Sequence, residues 1–168
     1  ACYLSMVLLD PLKRVNLIVE AFLKMPEKRL VVSSGGSELY KLQRLTEHAR
    51  NIQFTGWLDD VELAKLVGNA IATVYLPKDE DLGMSPLESM AAGKPVIGVA
   101  EGGLLETVIP GETGVLLRPP LSVVEICRAV EFMTPLRALS MRVACEKQAQ
   151  RFRTEVFLEN IGALCKVP

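Results

Sequence analysis

Residues 71–99 limit the fold of this chain more than any other segment. Residues 71–76 are a short apolar run, partly β-branched, and read as a buried strand. The polar loop Pro77-Lys78-Asp79-Glu80-Asp81 leaves its carboxyl end. Ser85-Pro86-Leu87-Glu88 has the pattern of a helix start, with Ser85 as N-cap, Pro86 at the first helical position and Glu88 reaching back to the cap's amide. That helix, residues 86–92, ends at Gly93, which suits a left-handed position, and Lys94-Pro95 leads into a second buried run at 96–99. The order is strand, loop, helix, strand.

The same alternation extends back to the beginning of the chain. The pattern predicts a strand over 3–9, an amphipathic helix over 15–24 built on Val15, Ile18, Val19 and Phe22, and a strand over 29–33. A helix over 37–49, a strand over 52–55 and a helix over 59–67 with Asp59 as cap follow. Such alternation gives an α/β fold, a parallel sheet with helices on both faces. From residue 123 onward the pattern is helical (123–133, 136–150, 155–164), a helical C-terminal tail with no repeat, linker or internal boundary. At 168 residues the chain reads as a single domain with a sizeable core.

Composition removes several function classes. A net charge of −1 leaves no electrostatic footprint for nucleic acid. No apolar stretch reaches the roughly 18 residues of a transmembrane helix, and no signal-peptide pattern precedes the first apolar segment. The four cysteines, Cys2, Cys127, Cys145 and Cys165, are scattered without metal or redox spacing, so they read as reduced thiols of a cytoplasmic protein. The single histidine, His48, lies in a polar helical segment and reads as a surface residue, and no metal site is expected.

Chemistry-bearing residues gather at one end of the sheet. Gly35, Gly36, Gly56, Gly83, Gly102 and Gly103 fall in loops at strand carboxyl ends, with Asp10, Lys13, Glu80 and Asp81, and ligands of open α/β sheets bind at that end. The opposite end has terse turns, Met25-Pro26-Glu27 and Gly68-Asn69. The loop Asp10-Pro11-Leu12-Lys13-Arg14 has no glycine, which excludes a dehydrogenase fingerprint and an ATPase phosphate loop and offers a pair of cations instead. The helix start beyond Gly83 favours an anion. Glu80 and Glu88 would repel that anion, so the arrangement works only if they address the neutral hydroxyls of a sugar or a ribose. Together these features predict a sugar nucleotide.

The segment from Glu80 to Ile97 resembles the signature of retaining glycosyltransferases of family 4, group 1, in which two glutamates are separated by seven residues. The likeness rests on Glu80, Gly83, Pro86, Leu87, Glu88, Met90, Ala91, Gly93, Pro95, Val96 and Ile97. It continues through Gly102-Gly103, Glu106 and Gly111-Glu112-Thr113-Gly114, and covers nearly the whole chain. It implies a Rossmann-like sheet, the C-terminal half of the two-domain GT-B fold, which binds the donor. The N-terminal acceptor domain is expected to be missing. By the same resemblance Glu80 contacts the transferred hexose and is the catalytic candidate, and Glu88 holds ribose hydroxyls. Amides around Leu82, Gly83 and Met84 meet sugar and phosphates, while Lys13 contacts the diphosphate. An arginine is expected five residues before that lysine, where Leu8 stands. Either Arg14 substitutes for it or activity is reduced. Lys13 has a plainer reading too, as solvated surface charge.

The loop Ser33-Ser34-Gly35-Gly36-Ser37-Glu38 resembles a glycine-rich turn that approaches the nucleotide in the family, with the usual Gly-Asp-Gly order altered to Ser-Gly-Gly and Gly36 the candidate here, but it also reads as a tight strand-to-helix turn capped by Ser37. Trp57 either stacks on the base or covers the sheet edge. Glu88 has a plainer reading as capping partner of Ser85, and Gly102-Gly103 reads mainly as a structural turn. Glycoside hydrolysis also uses two carboxylates, but one of these lies at a helix start beside an anion site, which fits nucleotide recognition better.

The expected function is transfer of a hexose, with retention, from a nucleoside-diphosphate sugar to a saccharide or lipid-linked acceptor, with no metal or other cofactor required. GDP-mannose is the first donor expected, from likeness to mannosyltransferases of cell-surface polysaccharide assembly, and any membrane contact is peripheral, through the missing domain. The alternative is a non-catalytic nucleotide-sugar-binding regulatory module, kept open by Leu8, Ser34 and Gly35. The polar strand-end loops argue against a pure protein-interaction domain.

Overall fold

Tyr3 and Leu4 are neighbours on one strand and point to opposite faces of the sheet, which organises everything around them. The computed structural model describes residues 1–165. Its sheet consists of β1 (Cys2–Met6), β2 (Leu30–Ser33), β3 (Ile52–Gly56), β4 (Ala70–Tyr75), β5 (Val96–Val99) and β6 (Gly114–Leu117). All pairings are parallel, in the order β3-β2-β1-β4-β5-β6. The helices are α1 (Val15–Leu23), α2 (Leu39–Leu45), α3 (Asp60–Asn69), α4 (Met84–Ala91), α5 (Leu104–Thr107), α6 (Val123–Phe132), α7 (Pro135–Gln150) and α8 (Thr154–Leu164). The expected α/β architecture with a helical tail is what forms.

On the Tyr3 face, the phenol hydroxyl donates to the carbonyls of Val130 (3.0 Å) and Met133 (2.9 Å), which fixes the end of α6 against the sheet with α1 beside it. On the Leu4 face, Leu4, Met6 and Val31 pack against Leu63, Leu66 and Val67 of α3. There α4 runs beside α3, and α7 packs on α4. Phe22, Ile18 and Leu9 are fully buried, each burial contributing roughly 1.5–3 kcal/mol. The helices were legible because their apolar stripes repeat at helical spacing.

Several boundaries differ from the sequence reading, each for a tertiary reason. β1 stops at Met6 rather than at residue 9, because the chain leaves the sheet to meet the next loop. There the Leu9 amide donates to the Gly35 carbonyl (2.9 Å), and the Leu9 carbonyl accepts from the Glu38 amide (3.0 Å). α2 starts at Leu39 without a side-chain cap, so Ser37 does not cap it. It ends at Leu45, where the Thr46 hydroxyl donates back to the carbonyls of Leu42 and Gln43 (both 3.1 Å) and competes with further helix. Gly68 and Asn69 are the last residues of α3 rather than a separate turn. β6 is an additional strand that the sequence reading did not predict. Among the described residues no helix is long and apolar enough to cross a membrane.

Candidate functional site

The strand order reverses between β1 and β4, so the loops leaving them diverge and open a crevice at the carboxyl end of the sheet. After β1 a single 3-10 turn, Pro11–Lys13, is capped by Asp10, whose carboxylate accepts from the amides of Leu12 (2.8 Å) and Lys13 (3.2 Å). After β4 the chain leaves through Pro77, and the Lys78 amide donates to the Leu12 carbonyl (2.7 Å), tying the two loops together. This brings Lys13 and Glu80, 67 residues apart in sequence, into direct contact, with Nζ 2.6 Å from Oε2. The Tyr75 hydroxyl, from the end of β4, donates to the same oxygen at 2.6 Å.

This packing tunes both acids. Burial pulls the Glu80 carboxyl upward, but the hydrogen bonds from Lys13 and Tyr75, the Lys13 charge and the Gly83 amide outweigh it and hold the carboxyl below its ordinary value. Burial, and then the Glu80 carboxylate, push the Tyr75 phenol far above its usual range, so it remains a donor. Tyr75 was predicted only as a strand residue. No local signal marks it, because its contact depends on the loop folding back after Pro77.

The second cation is placed differently. Arg14 adopts a left-handed backbone, φ 51°, and its guanidinium lies 3.0 Å from Glu101 in the loop after β5. The pair joins the first and last loops around the crevice. A single acidic residue after a buried strand gives no sequence signal, so Glu101 was missed. Gly102 and Gly103 follow it because a Cβ on either would collide with the carbonyls of Glu80 or Asp81, and the Gly103 amide donates to the Glu80 carbonyl (2.8 Å). Their role as a structural turn is therefore to press one loop onto the other.

The helix start is two residues earlier than expected. α4 begins at Met84, with Gly83 as a left-handed N-cap and no side-chain cap. Ser85 is inside the helix and its hydroxyl donates to the Met6 carbonyl (2.9 Å), so the predicted capping box with Glu88 is absent. Pro86 causes no loss in the first turn, where an amide would have had no intrahelical partner. Glu88 falls in the second turn, three residues from Ser85 and on the same helix face. Both line a cleft of about 220 Å³ with Met6, Val7, Ser33, Ser34 and Trp57, and Leu8 stands at its edge.

Trp57 is 73% exposed and its indole crosses Gly35, where an added Cβ would lie 2.7 Å from Nε1. It follows the edge strand β3 directly and lines the cleft beside Gly35. Gly36, φ 151°, is pressed on the Leu9 backbone, which leaves no room for a side chain. Leu82 and Met84 are exposed on either side of the buried Gly83. The crevice thus gathers Lys13, Glu80, Leu82, Gly83 and Met84, the cleft gathers Trp57 and Glu88, and Arg14 is held at the rim by Glu101. Chemically, the arrangement offers two carboxylates with hydrogen-bond capacity, one ammonium paired with Glu80 and a helix start without a side-chain cap.

Comparison with known proteins bears on the family and the fold. The family model for Glycosyl transferases group 1 matches residues 2–152. A curated relative, the alpha-1,3/1,6-mannosyltransferase ALG2 of Dictyostelium discoideum, is 35% identical over 104 residues, 60% of this chain and 24% of that protein. Among solved structures, the sucrose-phosphate synthase of Thermosynechococcus elongatus superposes with a TM-score of 0.85 at 27% identity, over 97% of this chain and 44% of that one. Anabaena HepE in complex with UDP and glucose superposes with a TM-score of 0.83 at 18% identity, over 98% and 48%. The chain therefore spans less than half the length of these proteins, and the sheet and its helices are those of their shared fold.

Proposed function

The chain belongs to the group 1 glycosyl transferases, and on that premise we propose that it is the donor-binding half of a hexosyltransferase that acts with retention on a nucleoside-diphosphate sugar. The observation that carries the reading is the meeting of Lys13 and Glu80 at the topological switch point, beside a cleft lined by Glu88. The donor's base and ribose occupy that cleft, with the ribose hydroxyls on Glu88 and the base along Trp57. The diphosphate draws Lys13 from Glu80 and takes further donors from the amides of Gly83, Met84 and Ser85. Gly36 keeps the neighbouring loop close to the nucleotide. Glu80, released from the ion pair, accepts hydrogen bonds from the hexose.

In the reaction the bond from the hexose anomeric carbon to the diphosphate oxygen breaks and a bond to the acceptor oxygen forms on the same face. The acceptor's proton passes to the departing diphosphate. Negative charge grows on that leaving group, where Lys13 and the helix amides are placed, and positive charge grows on the ring beside Glu80. No metal enters this scheme. GDP-mannose is the first donor to try, which the likeness to ALG2 supports, with UDP-hexoses next. The acceptor, a saccharide or lipid-linked glycan, belongs to a companion domain, through which a cytoplasmic enzyme would touch a membrane.

Titration calorimetry tests the reading. The full-length protein should bind GDP-mannose or a UDP-hexose more tightly than the bare diphosphate, and Glu88→Ala should weaken both. Equal affinity with and without the sugar would replace the proposal by its rival, a regulatory nucleotide-binding module. One observation favours that rival: Arg14 is engaged by Glu101, and the cleft edge carries the apolar Leu8.

A further inference from the structure

Both side-chain donors to Glu80 land on the same oxygen. Lys13 Nζ and the Tyr75 hydroxyl each lie 2.6 Å from Oε2, and the side chain's other oxygen, Oε1, receives neither. The two donors differ in permanence. Lys13 is a quarter exposed on a flexible stem, and a diphosphate competes for its charge. Tyr75 is 6% exposed at the end of the central strand β4, in a ring held by the core, with the Lys13 ammonium 6.0 Å above its face. Moving Lys13 onto a phosphate therefore leaves Glu80 with one rigid, neutral side-chain donor, Tyr75, beside the Gly83 amide.

Resting on the donor-site reading above, we propose that Tyr75 is a positioning residue for glycosyl transfer: its hydroxyl pins Oε2 of Glu80, so that Oε1 is presented to the hexose hydroxyls after Lys13 has moved to the diphosphate. A phenylalanine would fill the same volume but remove the side-chain donor that holds Oε2 once the ion pair opens. The charged surroundings are mixed. Asp79 and Asp81 flank Glu80, Asp10 and Lys13 come from the loop after β1, and Glu88 comes from α4. The Arg14–Glu101 pair closes the rim, and its loop presses on the Glu80 backbone. The Asp10 and Glu88 charges also act on the Tyr75 phenol, in the direction that keeps its proton.

The test compares the wild-type full-length protein with Tyr75→Phe, Glu80→Gln and the double variant. Each is titrated with GDP, GDP-mannose, UDP and UDP-glucose, and the Glu80 carboxyl is followed by carbon NMR against pH without ligand. Tyr75→Phe should raise the Glu80 pKa, leave bare-diphosphate affinity unchanged and reduce the extra affinity supplied by the sugar roughly three- to tenfold, the worth of one hydrogen bond. In the Glu80→Gln background it should add nothing further. An unshifted Glu80 titration, or equal weakening of nucleotide and nucleotide sugar, overturns the inference and leaves the donor-site reading intact. A wild type in which no sugar adds affinity overturns that reading first. Should Tyr75→Phe not fold, a wild-type Glu80 pKa at or above the ordinary carboxylate value overturns the inference by itself.

Discussion

Helices α3 and α4 lie side by side on one face of the sheet and begin in opposite ways. α3 opens with reciprocal capping: the Asp59 carboxylate accepts from the Glu62 amide (2.8 Å), and the Glu62 carboxylate accepts from the Asp59 amide (3.3 Å). Two acids, Asp60 and Glu62, sit in its first turn, where they complement the helix dipole. α4 opens on a left-handed glycine with no side-chain cap and no acid in its first turn. The hydroxyl there, Ser85, is spent on the Met6 carbonyl. A helix start that satisfies itself is finished as structure, whereas an uncapped start over a crevice keeps donors and dipole for a ligand. The difference separates scaffold from candidate site within one pair of neighbours.

The sharpest way to break that comparison is to remove the cation that faces α4's start. Lys13→Ala should weaken binding of the preferred nucleotide sugar by about ten- to a hundredfold, the range for one charge-assisted contact, with little change in melting temperature. Calorimetry and thermal unfolding on the same samples check both halves, and a large loss of stability with unchanged affinity would make the crevice scaffold like the rest. A smaller effect is expected from Gly83→Ala. The added Cβ meets Leu104, Pro86 and Tyr75 at an ordinary 3.4 Å, so the cost comes from holding an alanine at φ 81°, about 1–2 kcal/mol in denaturant unfolding. On the α3 side, Asp59→Ala should cost about 1 kcal/mol of unfolding free energy and leave nucleotide-sugar affinity unchanged. A fall in affinity there would mean that α3's start also serves the ligand.

The sequence showed the alternation of the sheet well and the crevice only in part, for a reason visible in particular residues. Buried runs such as 71–76 and 96–99 are set by continuous apolar burial, which periodicity detects. The Asp59 cap was legible because its partner stands three residues away. Ser85-Pro86-Leu87-Glu88 carries the same local pattern and misled, since a long-range bond to Met6 on β1 outweighed the local cap. β6 was missed because it is four residues long, half-buried at the sheet edge and preceded by a turn. Tyr75 and Glu101 were missed for another reason. Their partners, Glu80 and Arg14, are brought to them by loop geometry, and neither spacing nor residue type announces that.

Acid separates the two regions by a smaller effect, and its sign depends on which force on Glu80 wins. Burial alone would raise this carboxyl above its ordinary value of 4.5, and folding would then favour its protonated form. The hydrogen bonds from Lys13 and Tyr75 win instead, so the folded state holds the ionised form more tightly than the unfolded chain does. A carboxyl depressed on folding stabilises the protein fully above the unfolded value, and that contribution fades as pH falls through the lower folded value. The stability difference between wild type and Glu80→Gln should therefore be constant above pH 4.5 and shrink below it. For a partly exposed ion pair the difference is about 0–1 kcal/mol, so chemical denaturation at closely spaced pH values is needed. A difference that grows as the solution is acidified would mean that burial dominates. Glu80 would then be a carboxyl kept neutral by its pocket, and the uncapped start of α4 would face an uncharged neighbour rather than one half of an ion pair.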